Sequence, residues 1–537
     1  MKCKWVSMMV LGLVVIGISR ASRAEVDCAK PVPTPSGLVQ GAQDSNNPAA
    51  CVWKGIPFAA PPVGKLRWAP PQPAPAWPGA RRADKFGDRC MQKGIMALEG
   101  VMSEAGMSED CLYLNVWRPR QEGTFPVMVW IHGGGYYGGA GSTAFYWGDR
   151  LAVAGDLVVV TTNYRLNLFG FFAHPALREE DPHRSSGSQG TLDQVAALQW
   201  VHDNIQNFGG DPNNVTIFGE SAGGWSICTL VATPLAQGLF KGAILQSGGC
   251  EQSQDLDKGY ATARKAAERL KCPAEDLECL RRLPAEKVLK KGFEGGMGEL
   301  EFMPHHDGYA LFDTPLAMIR AGRYNHVAFM AGSTRDEFGK ALKLRRDVKK
   351  IKPEDYERQL VERFEFSPEE AKTLAQLYPL DQFGNRPVEA YGRMFGADMA
   401  LACPTYAGLL AAAKQQSGAY YYRFDYTGMK YSQYTGAAHA FEIPFIFDSL
   451  DRPPTSLFYN RQNLGEAKAL SRIIQGYWIN FAKTGNPNGT GLPEWPEFDP
   501  EQQRVQILNT DTHAEPADIS PRCSFWEEHS KEIDLGF

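Results

Sequence analysis

The sequence predicts an α/β fold: a central, mostly parallel sheet flanked by helices. Three apolar runs carry the prediction, at residues 126–131, 215–218 and 327–331. Each ends in a turn that holds glycine together with residues able to do chemistry. Open α/β sheets build their sites in this way, at the carboxyl ends of strands.

The run 215–218 leads into Gly219-Glu220-Ser221-Ala222-Gly223-Gly224. A Gly-x-Ser-x-Gly motif closing a strand is the nucleophile elbow of an α/β-hydrolase. Ser221 must sit on a tight, strained strand-to-helix turn with its hydroxyl clear of the sheet. Strand and helix nearly touch there, so the residues two before and two after must be small. Gly219 and Gly223 meet that demand.

The run 126–131 closes with Trp130-Ile131-His132-Gly133-Gly134-Gly135-Tyr136. An enzyme that makes a tetrahedral oxyanion needs two or three backbone N–H groups aimed at one point. Only glycine brings consecutive N–H groups that close to a substrate without a Cβ in the way. The expected donors are Gly134 and Gly135, joined by Ala222, the residue after the nucleophile.

In this fold the other triad members follow the serine in the order acid, then histidine. After the run 327–331 comes Gly332-Ser333-Thr334-Arg335-Asp336-Glu337-Phe338-Gly339, which offers Asp336 or Glu337 at a strand end. Further on, Gly436-Ala437-Ala438-His439-Ala440 sets a histidine among small residues. His174, His183, His202 and His326 lack such a setting, and His305 and His306 precede the acid. His439 is therefore the expected base.

At this point the chain resembles the type-B carboxylesterase and cholinesterase family, almost end to end. The resemblance is carried by Gly55-Ile56-Pro57-Phe58-Ala59, Pro61-Pro62-Val63-Gly64-Lys65-Leu66-Arg67 and Ser108-Glu109-Asp110-Cys111-Leu112-Tyr113-Leu114-Asn115-Val116. It continues through Asn163-Tyr164-Arg165, Gly170-Phe171, Asp193-Gln194, Leu198-Gln199-Trp200-Val201 and Phe208-Gly209-Gly210-Asp211-Pro212. It implies the α/β-hydrolase fold and makes Glu337 the triad acid. Phe338, inserted before Gly339, departs from the family pattern and is expected to alter the local turn without removing the carboxylate. The implied chemistry is ester hydrolysis through an acyl-enzyme on Ser221, with His439 as general base and acid and Glu337 orienting it.

The resemblance also pairs Cys90 with Cys111, Cys272 with Cys279 and Cys403 with Cys523. Cys28 and Cys51 flank an expected hairpin and form a candidate fourth bridge. Cys228, on the helix after the elbow, and Cys250 are expected as thiols. Lys2 and Lys4 precede an apolar stretch, 6–18, and then Ser22-Arg23-Ala24. That is the pattern of a cleaved signal peptide over 1–24, so the protein is expected to be periplasmic or secreted, which agrees with its cysteine usage.

No linker, charge block or repeat interrupts the motifs, so 25–537 reads as one catalytic domain. Residues 255–291 and 353–377 have helical spacing and are expected to form a cap. No H-E-x-x-H, Cys-x-x-Cys or Gly-x-Gly-x-x-Gly motif occurs in a setting that would imply a metal or cofactor, and none is expected. The net charge of −5 gives no reason to expect nucleic acid. The basic run 340–352 reads as a solvated helix face. Of the sequons, Asn214 is expected to be buried in the strand before the elbow and Asn488 to be the surface site. The expected partner is a small-molecule ester, with no membrane span in the mature chain, which is read as a monomer or homodimer.

Substrate choice is less legible. A cholinesterase holds its cation on a tryptophan in the Cys90–Cys111 loop, and residues 91–110 contain no Trp, Tyr or Phe, so choline esters are disfavoured. Counted back from Asp307-Gly308, the two aromatic acyl-pocket positions fall on Gly298 and Leu300, which implies a pocket wider than acetyl. Glu220, His305 and His306 complete the candidate pocket residues. For the two histidines a purely structural role is the competing reading. Two alternative functions stay open: amide or carbamate cleavage by the same triad, and a non-catalytic adhesion-type relative, against which the intact triad argues.

Overall fold

The computed structural model describes residues 24–93, 103–293 and 301–529. The expected leader, but for Ala24, lies outside the described residues, as do Gly298 and Leu300. Among those described, the backbone builds an eleven-stranded sheet. In chain order its strands are β1 (Ala42–Gln43), β2 (Ala50–Pro57), β3 (Tyr113–Pro119), β4 (Phe125–Ile131), β5 (Val158–Thr162), β6 (Gly210–Glu220), β7 (Gly242–Gln246), β8 (Ala328–Thr334), β9 (Ala419–Phe424), β10 (Arg504–Leu508) and β11 (His513–Pro516). Their spatial order is β1-β2-β3-β5-β4-β6-β7-β8-β9-β10-β11. Pairings from β5 to β10 are parallel, and those at either edge are antiparallel.

The continuous apolar character of β4 has a simple cause: both of its faces are covered. Val127, Val129 and Ile131 point into a core shared with α1 (Gln189–Asn204) and α2 (Ala222–Ala232), where they join Val201, Ile227 and Leu230. Met128 and Trp130 point the other way, into a second core with Ile474, Trp478 and Phe481 of the long helix Arg461–Thr484. Register then aligns the strand ends. Ile131 pairs with Gly219, Gly219 with Leu245, and Gln246 with both Glu220 and Gly332. The loops leaving β4, β6, β7 and β8 are thereby delivered to one edge.

Both insertions are helical, but broken. Residues 255–291 form α3 (Leu256–Leu270), Leu277–Arg282 and Ala285–Lys291, interrupted at Pro273 and Pro284. In the second, Tyr356–Glu362 stops before Pro368–Leu377, whose start is fixed by a Ser367–Glu370 capping box. The helical run Pro387–Ala413 is the one described segment long and apolar enough to cross a membrane, yet its most apolar stretch is 72 % buried inside the body, as in a core helix. Its middle part, Gly392–Ala402, is π-helical.

Among the described residues five disulfides are present: Cys28–Cys51, Cys90–Cys111, Cys228–Cys250, Cys272–Cys279 and Cys403–Cys523. Cys228 and Cys250 are therefore not thiols. Helix α2 packs on the loop after β7 and brings their Cα atoms within 5.3 Å, inside bridging range. Within the basic run, Lys340 and Lys343 both pair with Glu389 at 2.7 and 2.6 Å, while Arg346, Lys349, Lys350 and Lys352 are exposed. Asn214 is half-buried in β6, its amide donating to the Lys483 carbonyl. Asn488 is partly exposed beside exposed Gly489 and Thr490; its amide group donates to the Trp495 carbonyl while its oxygen accepts the Trp495 N–H.

Candidate active site

Ser221 caps α2 at φ 59° and ψ −124°, a region that costs about 1–3 kcal/mol and persists only where the surroundings enforce it. Here they do. Ser221 N–H donates to the Gln246 carbonyl at 3.0 Å, and Trp225 N–H donates to the Ser221 carbonyl at 2.9 Å. The small residues are needed on steric grounds, since a Cβ on Gly223 would lie 2.1 Å from the Ile131 carbonyl oxygen and one on Gly219 would lie 2.7 Å from Gly223.

The glycine loop runs beside this elbow. A Cβ on Gly133 would meet the Glu220 carbonyl oxygen at 2.6 Å and Ser221 Cβ at 3.1 Å. Gly134 and Gly135 adopt φ 96° and 64°, and the Gly134 carbonyl is tied down by the N–H groups of Tyr137 and Gly138. Buried His132 anchors the loop. Its ring stacks on Tyr164, whose hydroxyl donates to the His132 carbonyl, and burial pushes its imidazole down to about 4. Ala222 opens α2, so its N–H belongs to the set left without an intrahelical acceptor.

Glu337 follows β8 at φ 42°. One carboxylate oxygen accepts from Ser247 Oγ and from Thr334 N–H, both at 2.7 Å; the other lies 2.6 Å from His439 Nδ1. The two loops are zipped together: His439 N–H donates to the Glu337 carbonyl, and Asp336 N–H donates to that of Ala437. Asp336, the alternative acid, instead binds Arg335 and Ala437 N–H through its carboxylate.

Glu220 is buried, with its carboxylate 3.0 Å from His439 Nε2. At that separation the two groups form an ion pair whenever the imidazole is protonated. Burial raises the Glu220 carboxyl. Burial pulls His439 down, but the Glu220 and Glu337 carboxylates outweigh it and hold the imidazole well above its usual value. Glu442, behind this pair and bonded to Gln246 Nε2 at 3.1 Å, is pushed up to about 8 by burial and by both glutamates.

Ser247 and Glu442 were not anticipated. A polar residue ending the buried strand β7, and a glutamate in the apolar stretch after His439, are the signals that point to them. His305 and His306 both have structural partners. Residues 254–255 pair with 305–306 as two short parallel strands. The buried His305 ring lies against the Gly187 carbonyl and the Gln254 amide, at 2.8 and 3.0 Å, and burial lowers it to about 4. His306 engages Ser253 and Asp255. No cluster of His, Cys, Asp and Glu suited to a metal occurs among the described residues.

The arrangement joins a buried serine on a strained elbow, an imidazole oriented by one carboxylate, and a glycine loop packed against the serine. The model of the carboxylesterase family matches residues 29–526. The chain is 37% identical to para-nitrobenzyl esterase of Bacillus subtilis (strain 168) over 489 residues, 89% of this chain and 95% of that one. It is 36% identical to fumonisin B1 esterase of Sphingopyxis macrogoltabida over 486 residues, 88% and 85% of the two chains. Among solved structures, a carboxylesterase of Geobacillus stearothermophilus superimposes with a TM-score of 0.80 at 34% identity, covering 92% of this chain and 99% of its own.

Proposed function

The chain belongs to the carboxylesterase family, with the α/β-hydrolase fold and the serine-type ester hydrolysis of that family, and on that premise we propose that Ser221, His439 and Glu337 are its triad. The contact between Glu337 and His439 Nδ1 at 2.6 Å carries this reading, because it fixes the tautomer and leaves Nε2, on the edge shared with Glu220, as the atom that can take a proton. Ser221 Oγ attacks the ester carbonyl as Nε2 takes its proton. The tetrahedral oxyanion accepts hydrogen bonds from the N–H groups of Gly134, Gly135 and Ala222, each worth roughly 3 kcal/mol. On collapse, His439 gives the proton to the leaving alkoxide and an acyl-serine remains. Water then gives a proton to Nε2 and attacks; the acid departs and Ser221 recovers its proton. Glu220, on the other edge of the ring, stabilises the imidazolium formed at each step.

We propose further that the enzyme takes acyl groups larger than acetyl, supported by the glycine at 298 and leucine at 300, and that it works in an oxidising compartment as a single domain, 25–537, after removal of residues 1–24. The five disulfides suit that destination. Hydrolysis of p-nitrophenyl esters from acetyl to octanoyl, by the protein and its Ser221→Ala variant, tests both parts. Activity surviving in the variant would reject the triad, and a sharp preference for acetyl would reject the wide pocket.

A further inference from the structure

Phe338, the residue inserted between Glu337 and Gly339, does more than extend a turn. Its ring centroid lies 4.3 Å from that of His439, with the planes at 41°. The backbone that carries it is firmly held. Phe338 N–H donates to the Gly396 carbonyl at 3.0 Å, Gly339 N–H to that of Asp336 at 2.7 Å, and Arg393 Nη1 to that of Arg335 at 2.6 Å. Gly339 presses on Gly392 of the π-helical segment, where a Cβ on either would lie 2.6 or 2.4 Å from the other's carbonyl oxygen. The ring is thus fixed by backbone contacts and not by its own packing alone.

The groups around His439 divide by direction. Glu337 faces Nδ1 and Glu220 faces Nε2, both at the ring edge. Glu442 lies near enough for both glutamate charges to act on it, and buried Tyr422 feels all three carboxylates. Phe338 alone among these addresses the face of the imidazole. An aromatic face within about 6 Å of a cation attracts it, and does so more strongly where water is excluded; the His439 side chain is 13 % exposed.

Resting on the triad reading above, we propose that Phe338 is a positioning residue of this site: its ring covers one face of His439 and favours the imidazolium that forms when Ser221 is deprotonated. The two carboxylates act on the charge in the ring plane, and Phe338 adds a contribution from the face and keeps the ring from tilting.

The test compares Phe338→Leu, which keeps much of the apolar bulk without the aromatic face, with Phe338→Trp, which restores it. In Phe338→Leu, kcat above the acid limb should fall roughly 3- to 10-fold with KM unchanged. The acid limb of kcat/KM should shift down by about half a pH unit or more. Phe338→Trp should recover both. A Leu variant with unchanged limb and kcat, or Leu and Trp variants equally impaired through KM, would overturn the proposal. NMR titration of the His439 ring in Ser221→Ala, with and without Phe338→Leu, reads the same shift without turnover. Esterase activity that survives in Ser221→Ala would sink the triad reading, while this titration would still decide the role of Phe338.

Discussion

The Glu220 carboxylate and the His439 Nε2 atom are 3.0 Å apart, on the ring edge opposite the Glu337 contact. An imidazole flanked by two buried carboxylates is protonated more readily than a free one. Since the neutral form is the base, the acid limb of kcat/KM should lie above the ordinary histidine value of about 6.5. Glu220→Gln should move that limb down, giving a variant relatively more active at low pH but slower on the plateau. A limb that stays in place would mean that Glu220 does not set the charge of His439.

Ser247 should matter through Glu337. Its hydroxyl donates to the carboxylate at 2.7 Å, a charge-assisted bond worth about 1.5–3 kcal/mol. Ser247→Ala should lower kcat by roughly one to two orders of magnitude with little change in KM, as steady-state kinetics would show. A loss confined to KM would place Ser247 with substrate and not with the acid.

Glu337→Gln keeps the shape of the acid and removes its charge. It should cost kcat roughly 10⁴-fold, because the imidazolium loses its partner and the wrong tautomer is favoured. A loss below tenfold would indicate that another carboxylate takes over.

The Cys403–Cys523 bridge spans 120 residues and ties the C-terminal helix to the body. In the chain-entropy picture a loop of that length contributes about 4–5 kcal/mol. The double Ala variant should unfold at a markedly lower temperature in calorimetry while keeping near-normal kcat at 25 °C. An unchanged transition would mean that contacts such as the buried Trp526 and Phe525 hold the segment by themselves.

The elements of the proposed site were legible because each imposes a local demand on residue type. The elbow needs Gly219 and Gly223, the proposed oxyanion loop would need Gly134 and Gly135, and a strand buried on both faces needs an unbroken apolar run such as 126–131. Glu220 was visible only as the middle of a motif, since its contact with His439 joins residues more than two hundred positions apart and depends on strand register. The same holds for Ser247, and for the disulfide that converts Cys228 and Cys250 from two apparent thiols into a bridge. For His305 and His306 the sequence left a structural role and a pocket contact both open, because polar residues in an apolar setting invite either. Their partners, Gly187, Gln254, Ser253 and Asp255, lie in loops whose approach no periodicity encodes.

The contact between Gly339 and Gly392 has a consequence for how this sequence can change over time. Each position lacks a side chain because the other's backbone occupies the space, and both are already the smallest residue. A larger residue at one therefore cannot be rescued by shrinking the other; the helix itself would have to move, carrying the Gly396 carbonyl that holds Phe338. The two sites form a locked pair: drift is closed to each separately, and a viable route opens only through a rearrangement that resets the acid loop at the same time.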